Sequence, residues 1–514
     1  MKENENISKK QITVNMLANI VSYSANIIIS FVLTPFLINT LGKETYSFYP
    51  MANTIVSYMS VLSNSMSSIA SRFVTISLVR NNEDEANKYY SSTLAANLLM
   101  SLLLLIPMAI VVIFLDKFMV VPINSVAAIK ALFALVFSSA LVNISVAIFG
   151  IATFAKNRID LRSLGELVTA SLRLILFYVL YKFLTPSIVY VGIVTLVVAL
   201  VNILIQGNYT RLLLPEIHIT KGNISIRHTK ELLASSCWNA INSFGNTLMA
   251  GMSMILANIF YGATASGAYS IVQTVPQFVC GIITMLVGVF YPIITYRYAQ
   301  NDKKGLVNEI KNAQSMVAIF GCSVISVFSA LADEFFTLWT PGEDASYLAL
   351  LSFATIIPHF MIACVWSLTN LNIVMNKVRI PAIYTLVSGI INVSIAYLTY
   401  RLFSPGLISL PIISSLLQVV WIVIFIPQYA CRNLEVKWYT FYSPVVKAII
   451  TSAAVMGMVI HVKKYICLDK WITFIFFGGL IGGLALIVFS VTMLGPLRLV
   501  NNIKSILTKV KSSF

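Results

Sequence analysis

Apolar residues occur in fourteen long runs along the chain, and short polar segments separate them. A helix of about 20 residues crosses the roughly 30 Å hydrocarbon core of a bilayer, which is the length of these runs. We therefore predict an all-α polytopic membrane protein of about fourteen transmembrane helices. The predicted spans are 14–38, 48–73, 92–115, 127–152, 163–183, 188–210, 233–259, 268–296, 313–335, 346–372, 381–400, 407–429, 443–461 and 473–494.

The composition excludes a soluble protein. Hydrophobic residues make up 58% of the 514 residues and charged residues only 11%, whereas soluble domains carry about 25% charged residues. The net charge of +16 is spread between the apolar runs and is not concentrated in one domain. This distribution argues against a nucleic-acid partner and for contact with membrane lipids.

The basic residues predict the orientation, because positively charged loops stay in the cytoplasm. Most of the 35 Lys and Arg residues lie at the N-terminus, in the loops after even-numbered spans and in the C-terminal tail. We expect both termini on the cytoplasmic side of a bacterial inner membrane. The few basic residues predicted on the outer side are Lys43, Lys117, Lys182, Arg401, Lys463, Lys464 and Lys470.

A shift of 220 residues aligns the first two spans with the seventh and eighth, as expected for a duplicated transporter. The predicted helix boundaries superimpose, and the matched residues include Asn19/Asn239, Asn26/Asn246, Gly42/Gly262, Asn53/Gln273 and Asn81/Asn301. Chance similarity between low-complexity membrane helices is the alternative. The repeat predicts two six-helix bundles, 1–210 and 233–430, joined by a cytoplasmic loop, 211–232. Two extra helices and a basic tail occupy 431–514.

Polar side chains recur on one face of several predicted spans. In the first span Asn15, Asn19, Ser22 and Asn26 follow a 4-3-4 spacing, which places them on one helix face. Such side chains either line a hydrated lumen or serve in helix packing, at about 0.6 kcal/mol each. The matched stripes in both halves favour the lumen. The candidate binding residues of this type are Asn19, Asn26, Asn53, Asn64, Asn239, Asn246 and Gln273.

Four ionisable residues at membrane depth are further binding candidates. Arg173 lies about ten residues into the fifth span, with no acidic residue one turn away on its own helix. Arg72 and Arg297 lie near the inner ends of spans two and eight, where either could extend to the lipid headgroups instead. His359 follows Pro358 in the tenth span, where a packed polar residue at a kink is the alternative.

Acidic residues are scarce within the spans. Only Glu166 is predicted at membrane depth, and Arg162 lies one turn away as an ion-pair partner. Ion-driven pumps usually contain an intramembrane carboxylate that binds the coupling ion. The cationic balance points to an anionic substrate. No phosphate-binding loop, metal-ligand cluster or hydrolase triad is present in the sequence, so we predict a protein that is not an enzyme and needs no cofactor.

The segment from Thr34 to Tyr46 (TPFLINTLGKETY), the polar second helix and the loop from Ala155 to Arg158 (AKNR) resemble the polysaccharide transporter family. This family includes O-antigen and capsule-unit flippases of the multidrug and oligosaccharidyl-lipid exporter superfamily. The resemblance implies two bundles in a V-shaped arrangement, with spans one, two, seven and eight lining the cavity. It implies an undecaprenyl-pyrophosphate-linked oligosaccharide as substrate, flipped to the outer leaflet, and a polysaccharide polymerase as a candidate partner.

Three alternative functions stay open at this point. An ion-coupled drug exporter of the same superfamily is disfavoured because Asn15, Asn19 and Asn26 stand in a first helix that typically carries a carboxylate in that branch. A membrane-embedded glycan polymerase or ligase is disfavoured because every predicted outer loop is short. A flippase for a peptidoglycan precursor would act on similar chemistry.

Overall fold

Helix accounts for nearly all of the described backbone, because a chain in lipid must satisfy its peptide groups internally. The computed structural model describes residues 2–495, so the predicted basic tail from residue 496 onward lies outside the described residues. Short 3-10 turns occur at Ile123–Ser125, Ala147–Gly150 and Lys221–Asn223, and a π-helical turn at Trp421–Phe425. The α-helices are α1 (Lys2–Leu41), α2 (Lys43–Tyr46), α3 (Phe48–Val79), α4 (Glu83–Ile113), α5 (Leu115–Phe118), α6 (Val126–Ser145), α7 (Ile151–Ala155), α8 (Ile159–Phe183), α9 (Val189–Leu213), α10 (Ile226–Ala250), α11 (Met252–Ala299), α12 (Lys303–Ala330), α13 (Ala332–Trp339), α14 (Ala345–Val374), α15 (Arg379–Phe403), α16 (Ser409–Val420), α17 (Ile426–Leu434), α18 (Tyr442–Lys463) and α19 (Trp471–Leu494).

The helices confirm a polytopic membrane protein. Among the described residues, twelve helical segments are long and apolar enough to cross a membrane. One of them, Ile226–Ala299, has 74 residues and non-helical backbone at Gly262. As one straight helix it would be about 110 Å long, several times the bilayer thickness, so it contains two spans. With α3, which is outside the twelve because its polar residues lower its hydropathy, the count reaches the predicted fourteen.

The chain divides into two compact units, Met1–Gly267 and Ala268–Phe514. In the first unit, α3 packs against α4, α6 and α10, while α8 packs against α1 and α9. The division falls within α11, and α10 belongs to the first unit, where it packs on α3. The predicted bundles, 1–210 and 233–430, with their loop 211–232, stay a prediction.

The apolar face of α3 anchors it in the first unit. Met66, Ala70 and Val74 recur every four residues and are fully buried against Tyr90 of α4 and Ile148. Burial of such a face is the main source of stability for a helix. The opposite, polar face of α3 takes no part in this packing.

The last two helices pack onto the second unit. Both α18 and α19 contact α12, and α18 also contacts α14. The Gln314 side chain donates from Nε2 to the carbonyl of Phe441 (3.3 Å) at the start of α18. At the other end of α18, Lys463 Nζ lies 2.8 Å from a carboxylate oxygen of Glu334. These helices thus extend the second unit and do not form a domain of their own.

Backbone features recur in the two halves at the spacing of the predicted repeat. After α3 the chain ends the helix with Asn81 in left-handed conformation, and after α11 with Asn301. In each case the amide of the next residue donates to the carbonyl five residues earlier, Asn82 to Ser77 (2.9 Å) and Asp302 to Arg297 (3.2 Å), which is a Schellman cap. The left-handed positions that recur at a spacing of 219 or 220 residues are Gly42/Gly262, Asn81/Asn301 and Asn157/Asn376.

Candidate functional site

A polar face runs along α3, opposite its buried apolar face. Asn53, Ser57, Ser60 and Asn64 follow a 4-3-4 spacing on this face. Asn53 Nδ2 donates to the Tyr49 carbonyl (3.1 Å), Ser57 Oγ to that of Asn53 (2.8 Å) and Ser60 Oγ to that of Val56 (2.7 Å). These bonds to the preceding turn let polar residues remain in a helix at membrane depth. Their oxygens keep acceptor capacity for a ligand.

Helix α10 covers part of this polar face, and a partly open cavity lies between the two helices. The helices run antiparallel, since Tyr58 Oη donates to the Thr247 carbonyl (2.9 Å) while Thr54 lies against Gly251. The cavity has a volume of about 290 Å³, close to the lower limit of small-molecule pockets at about 300 Å³. Its lining residues are Val56, Ser57, Ser60, Val61 and Asn64 of α3, and Ser243 and Thr247 of α10.

The cavity is narrow at one end. We call the end of the first unit where α1 meets α2 the Gly42 end, and the opposite end, where α3 meets α4, the Asn81 end. Towards the Gly42 end, a Cβ atom on Gly251 would lie only 2.8 Å from Thr54 Cγ2, so the two helices are in close contact. Nearby, the Tyr58 and Phe244 rings pack edge to face, 5.7 Å apart.

Towards the Asn81 end, the polar face of α3 is uncovered. Asn64, Ser68 and Arg72 recur every four residues on it, and all three are exposed. Arg72 lies about 12 Å along the helix from Asn64. Within residues 2–495, no side chain forms an ion pair or hydrogen bond with Arg72. Because polar groups at membrane depth need water or a partner, we interpret this face as the open mouth of the cleft.

Two predicted residues of α10 lie next to residues that line the cavity. Asn239 lies one turn from Ser243 on the same face and is half-buried, and Asn246 is exposed beside Thr247. The antiparallel register places Asn64 level with the turn between Asn239 and Ser243. Sequence reasoning identified these amides, but it missed Thr247 and Gly251, whose roles depend on the close approach of α3.

The polar stripe of α1 has a different role from that of α3. Asn15 Oδ1 accepts a hydrogen bond from the amide of Asp160 (3.0 Å), so it caps the N-terminus of α8. Ser22 Oγ donates to Glu166 Oε2 (2.8 Å), also on α8. These two side chains therefore serve in helix packing, which was the alternative to lumen lining.

The two predicted binding residues of α1 are less constrained by α8. Asn26 is half-buried and donates from Nδ2 to the carbonyl of Ser22 in its own helix (3.0 Å). Asn19 is exposed. Neither residue lines the cavity between α3 and α10.

Arg173 is an uncompensated cation on the seam between α1 and α8. These helices run parallel with an offset of about 145 residues, as the Ser22–Glu166 bond and the Phe36–Tyr181 ring contact (5.4 Å) show. Arg173 lies seven residues, about 10 Å, beyond Glu166 on the same face. It is half-buried, and no described residue forms an ion pair or hydrogen bond with it. Glu166 does not compensate the charge of Arg173, because it forms an ion pair with Arg162, whose Nε lies 3.2 Å from Glu166 Oε1.

Three predicted binding residues lie in the second unit. Gln273 donates from Nε2 to Tyr269 Oη (3.2 Å). Arg297 is neutralised by two carboxylates, with Asp302 at 3.0 Å and Glu309 at 3.9 Å. His359 has a buried Nδ1 without a hydrogen-bond partner among the described residues. Arg297 thus resembles a structural ion pair more than a free cation.

Comparisons with known proteins identify the family of this chain. A sequence profile described as "Polysaccharide biosynthesis protein" matches residues 11–297. The chain belongs to this family. A curated relative, the uncharacterized membrane protein EpsK of Bacillus subtilis (strain 168), is 26% identical over 469 residues, which cover 89% of this chain and 91% of EpsK.

Solved structures show the fold of this family member. The structure entitled "Lipid II flippase MurJ, inward closed conformation" has a TM-score of 0.67 at 13% identity, covering 93% of this chain and 98% of that one. An inward-facing multidrug resistance MATE transporter of the MOP superfamily also gives 0.67, at 12% identity, covering 80% and 94%. The protein is therefore a multi-pass membrane protein with the fold of MOP-superfamily transporters.

Proposed function

We propose that this protein is a flippase for an undecaprenyl-pyrophosphate-linked oligosaccharide, the repeat unit of an O-antigen, a capsule or an exopolysaccharide. It would move this lipid from the inner to the outer leaflet by alternating access. The observation that carries the proposal is the cleft of the first unit, which combines a lining of hydroxyl and amide groups with an unpaired arginine at its mouth.

The chemistry of the cleft fits the two polar parts of such a cargo. Ser57, Ser60, Asn64 and Ser243 offer the neutral donors and acceptors that sugar hydroxyls require. A pyrophosphate is best held by guanidinium groups, which donate two parallel hydrogen bonds to its oxygens. Arg72 lies on the same face of α3 as Asn64, so headgroup and sugar would bind along one helix.

The charge distribution supports the proposed direction of transport. In the predicted orientation, with the basic loops in the cytoplasm, the mouth of the cleft at the Asn81 end would open to the cytoplasmic side. Polyprenyl-linked sugars assembled on the cytoplasmic face would thus enter from the side on which they are made. Arg173 would meet the anionic group deeper in the membrane, on the seam between α1 and α8.

An ion-coupled drug exporter is the second candidate, and Glu166 is the carboxylate at membrane depth that such an exporter would use. Both oxygens of Glu166 are engaged, one by Ser22 and one by Arg162. A carboxylate held in an ion pair is a poor site for a cationic drug. The polysaccharide family membership also favours the glycan cargo.

The test is to delete the gene and to measure lipid-linked glycan in each leaflet. We expect lipid-linked glycan to accumulate in the inner leaflet and surface glycan to fall, with recovery on complementation. Arg72→Ala should lower export about tenfold or more, since hydrogen bonds to charged groups contribute about 1.5–3 kcal/mol. Arg80→Ala removes an exposed arginine two turns further along and serves as the matched control.

Unchanged glycan in both leaflets after deletion would refute the flippase proposal. A defect confined to lipid-linked peptidoglycan precursor would keep the flippase mechanism but change its cargo. Equal effects of Arg72→Ala and Arg80→Ala would remove Arg72 from the binding site.

A further inference from the structure

Two turns that are equivalent in the repeat contact each other at the Gly42 end of the first unit. The first turn comprises residues 42–47 and the second comprises residues 262–267, at a spacing of 220 residues. Each begins with a glycine in left-handed conformation, Gly42 at φ 79° and Gly262 at φ 86°. Residues other than glycine rarely adopt this conformation, so the sequence specifies both turns.

Hydrogen bonds join the two turns directly. Thr264 Oγ1 donates to Glu44 Oε1 (2.5 Å), and these two residues occupy equivalent positions in the repeat. Ser266 Oγ donates to Ser47 Oγ (3.0 Å), and both serines are fully buried. A Cβ atom on Gly267 would lie 2.9 Å from the carbonyl oxygen of Lys43, so the backbones are in contact.

Asn258 connects a third segment to this contact. Its Oδ1 accepts from the amide of Val120 (2.9 Å), and its Nδ2 donates to the carbonyl of Val120 (3.3 Å). Asn258 is fully buried and also lies within hydrogen-bond distance of Ser266 (3.4 Å). The turn after α5 is thereby tied to the same cluster.

These contacts lie at the narrow end of the cleft. The close approach of Thr54 and Gly251 continues towards the Gly42 end, while the exposed polar face of α3 begins at Asn64 on the other side. A cargo that entered by the mouth would leave at the Gly42 end only after the two turns separate. The bonds that must break are neutral hydroxyl and amide contacts and one hydroxyl–carboxylate bond, which can form and break reversibly.

We propose that turns 42–47 and 262–267, with Asn258, form the outer gate of the transporter, closed in this structure. This inference rests on the alternating access of the proposed function. Glu44, Ser47, Thr264 and Ser266 hold the gate shut, and their separation opens the cleft to the outside.

A reversible crosslink tests whether the gate must open. In a background with Cys237, Cys280 and Cys467 replaced by Ser, the double variant Ser47→Cys/Ser266→Cys should form a disulfide under mild oxidation. We expect glycan export to fall to the level of the gene deletion and to return on reduction. The matched control, Asp333→Cys/Ser346→Cys, joins two side chains 3.0 Å apart within the second unit and should leave export unchanged. Continued export by the oxidised Ser47→Cys/Ser266→Cys protein would overturn the gate.

An accessibility measurement tests the gate without any cargo. An Asn64→Cys variant is treated with a membrane-impermeant maleimide added from each side of sealed vesicles. Glu44→Ala should raise labelling from the Gly42 side several-fold, whereas Glu44→Gln, whose amide oxygen still accepts from Thr264, should not. Equal labelling of both variants would overturn the gate. Increased labelling in Glu44→Ala, together with normal leaflet distribution of glycan after gene deletion, would uphold the gate and refute the flippase function.

Discussion

The contact between Gly251 and Thr54 gives a quantitative prediction for the cleft. Gly251 has helical backbone (φ −88°, ψ −31°), so alanine fits its conformation. The added methyl group, however, would lie 2.8 Å from Thr54 Cγ2 and 3.0 Å from the Thr247 carbonyl oxygen. Forcing an extra carbon into a packed interface costs about 1–3 kcal/mol. Helix propensity returns at most about 1 kcal/mol of this, so we expect Gly251→Ala to be destabilising.

The second half of this prediction is a rescue. Thr54→Ser deletes the clashing Cγ2 but keeps the hydroxyl that donates to the Pro50 carbonyl (3.0 Å). In the Gly251→Ala background it should restore stability, with a coupling energy of about 1 kcal/mol in a double-mutant cycle. The free energy of unfolding is measured by SDS titration in mixed micelles.

The control substitution is Gly457→Ala in α18. No atom lies within 4 Å of a Cβ atom built on Gly457, so this substitution should be neutral or stabilising by up to about 1 kcal/mol. If Gly251→Ala behaves like Gly457→Ala, or if Thr54→Ser gives no rescue, then α3 and α10 do not approach as closely as described.

Three further predictions address other parts of the chain. Arg173→Ala should impair glycan export without lowering the amount of protein in the membrane, and normal export would leave Arg173 a structural role. Asp302→Ala should lower the free energy of unfolding by about 1 kcal/mol, because Asp302 caps α12 through the Gly305 amide (2.9 Å). Asp302→Asn should cost less because it keeps that cap, and equal losses in the two variants would disprove the capping role. The pKa of Glu216 is lowered by a hydrogen bond from its own backbone amide and by Lys156 (3.2 Å). The stabilising contribution of the Glu216 carboxylate is therefore present above pH 4.5 and is lost as the pH falls below this value. An acid unfolding titration in which the Glu216→Gln variant loses as much stability as the unsubstituted protein would contradict this prediction.

Hydropathy predicted which segments cross the membrane but not where their helices begin. The predicted spans start at residues 92, 233 and 313, whereas the helices start at Glu83, Ile226 and Lys303. Each extension carries polar and charged residues, which lower hydropathy without interrupting helical hydrogen bonding. In α4 this extension is packed, since Asn87 accepts from the amide of His218 (2.6 Å) and Tyr89 contacts Glu231 (3.0 Å). Contacts of this kind, more than a hundred residues apart, are not encoded in local hydropathy.

The repeat was predictable because it depends on local backbone requirements. Gly42 and Gly262 are both in left-handed conformation, and the asparagines that end α3 and α11 have φ angles of 56° and 55°. The side chains that follow, Asn82 and Asp302, cap the next helices through Glu85 and Gly305. Glycine and asparagine tolerate left-handed backbone better than other residues, so the same residue types occur at equivalent positions of the two halves.

The same periodicity could not distinguish a packing stripe from a lining stripe. Asn15 and Ser22 of α1 and Ser57 and Asn64 of α3 have equivalent spacing, yet the first pair bonds to α8 and the second lines the cleft. The difference lies in the partner helix. Asp160 and Glu166 on α8 supply a donor and an acceptor for α1, whereas the α10 face opposite α3 supplies Ser243 and Thr247 and leaves space.

The structure distinguishes Arg72 from Arg297, which their positions in the sequence could not. Arg72 and Arg297 lie 225 residues apart near equivalent helix ends, so the sequence suggested similar roles. The Schellman caps instead make Arg297 the equivalent of Ser77, one turn closer to the helix end. There it reaches Asp302 and Glu309 across the turn to α12, and its charge is neutralised. The first half has Asn82 and Tyr89 at the corresponding positions, so it lacks these two carboxylates, and Arg72 stays on the polar face with Asn64. An anionic headgroup that enters the cleft would therefore meet the guanidinium of Arg72 and not that of Arg297.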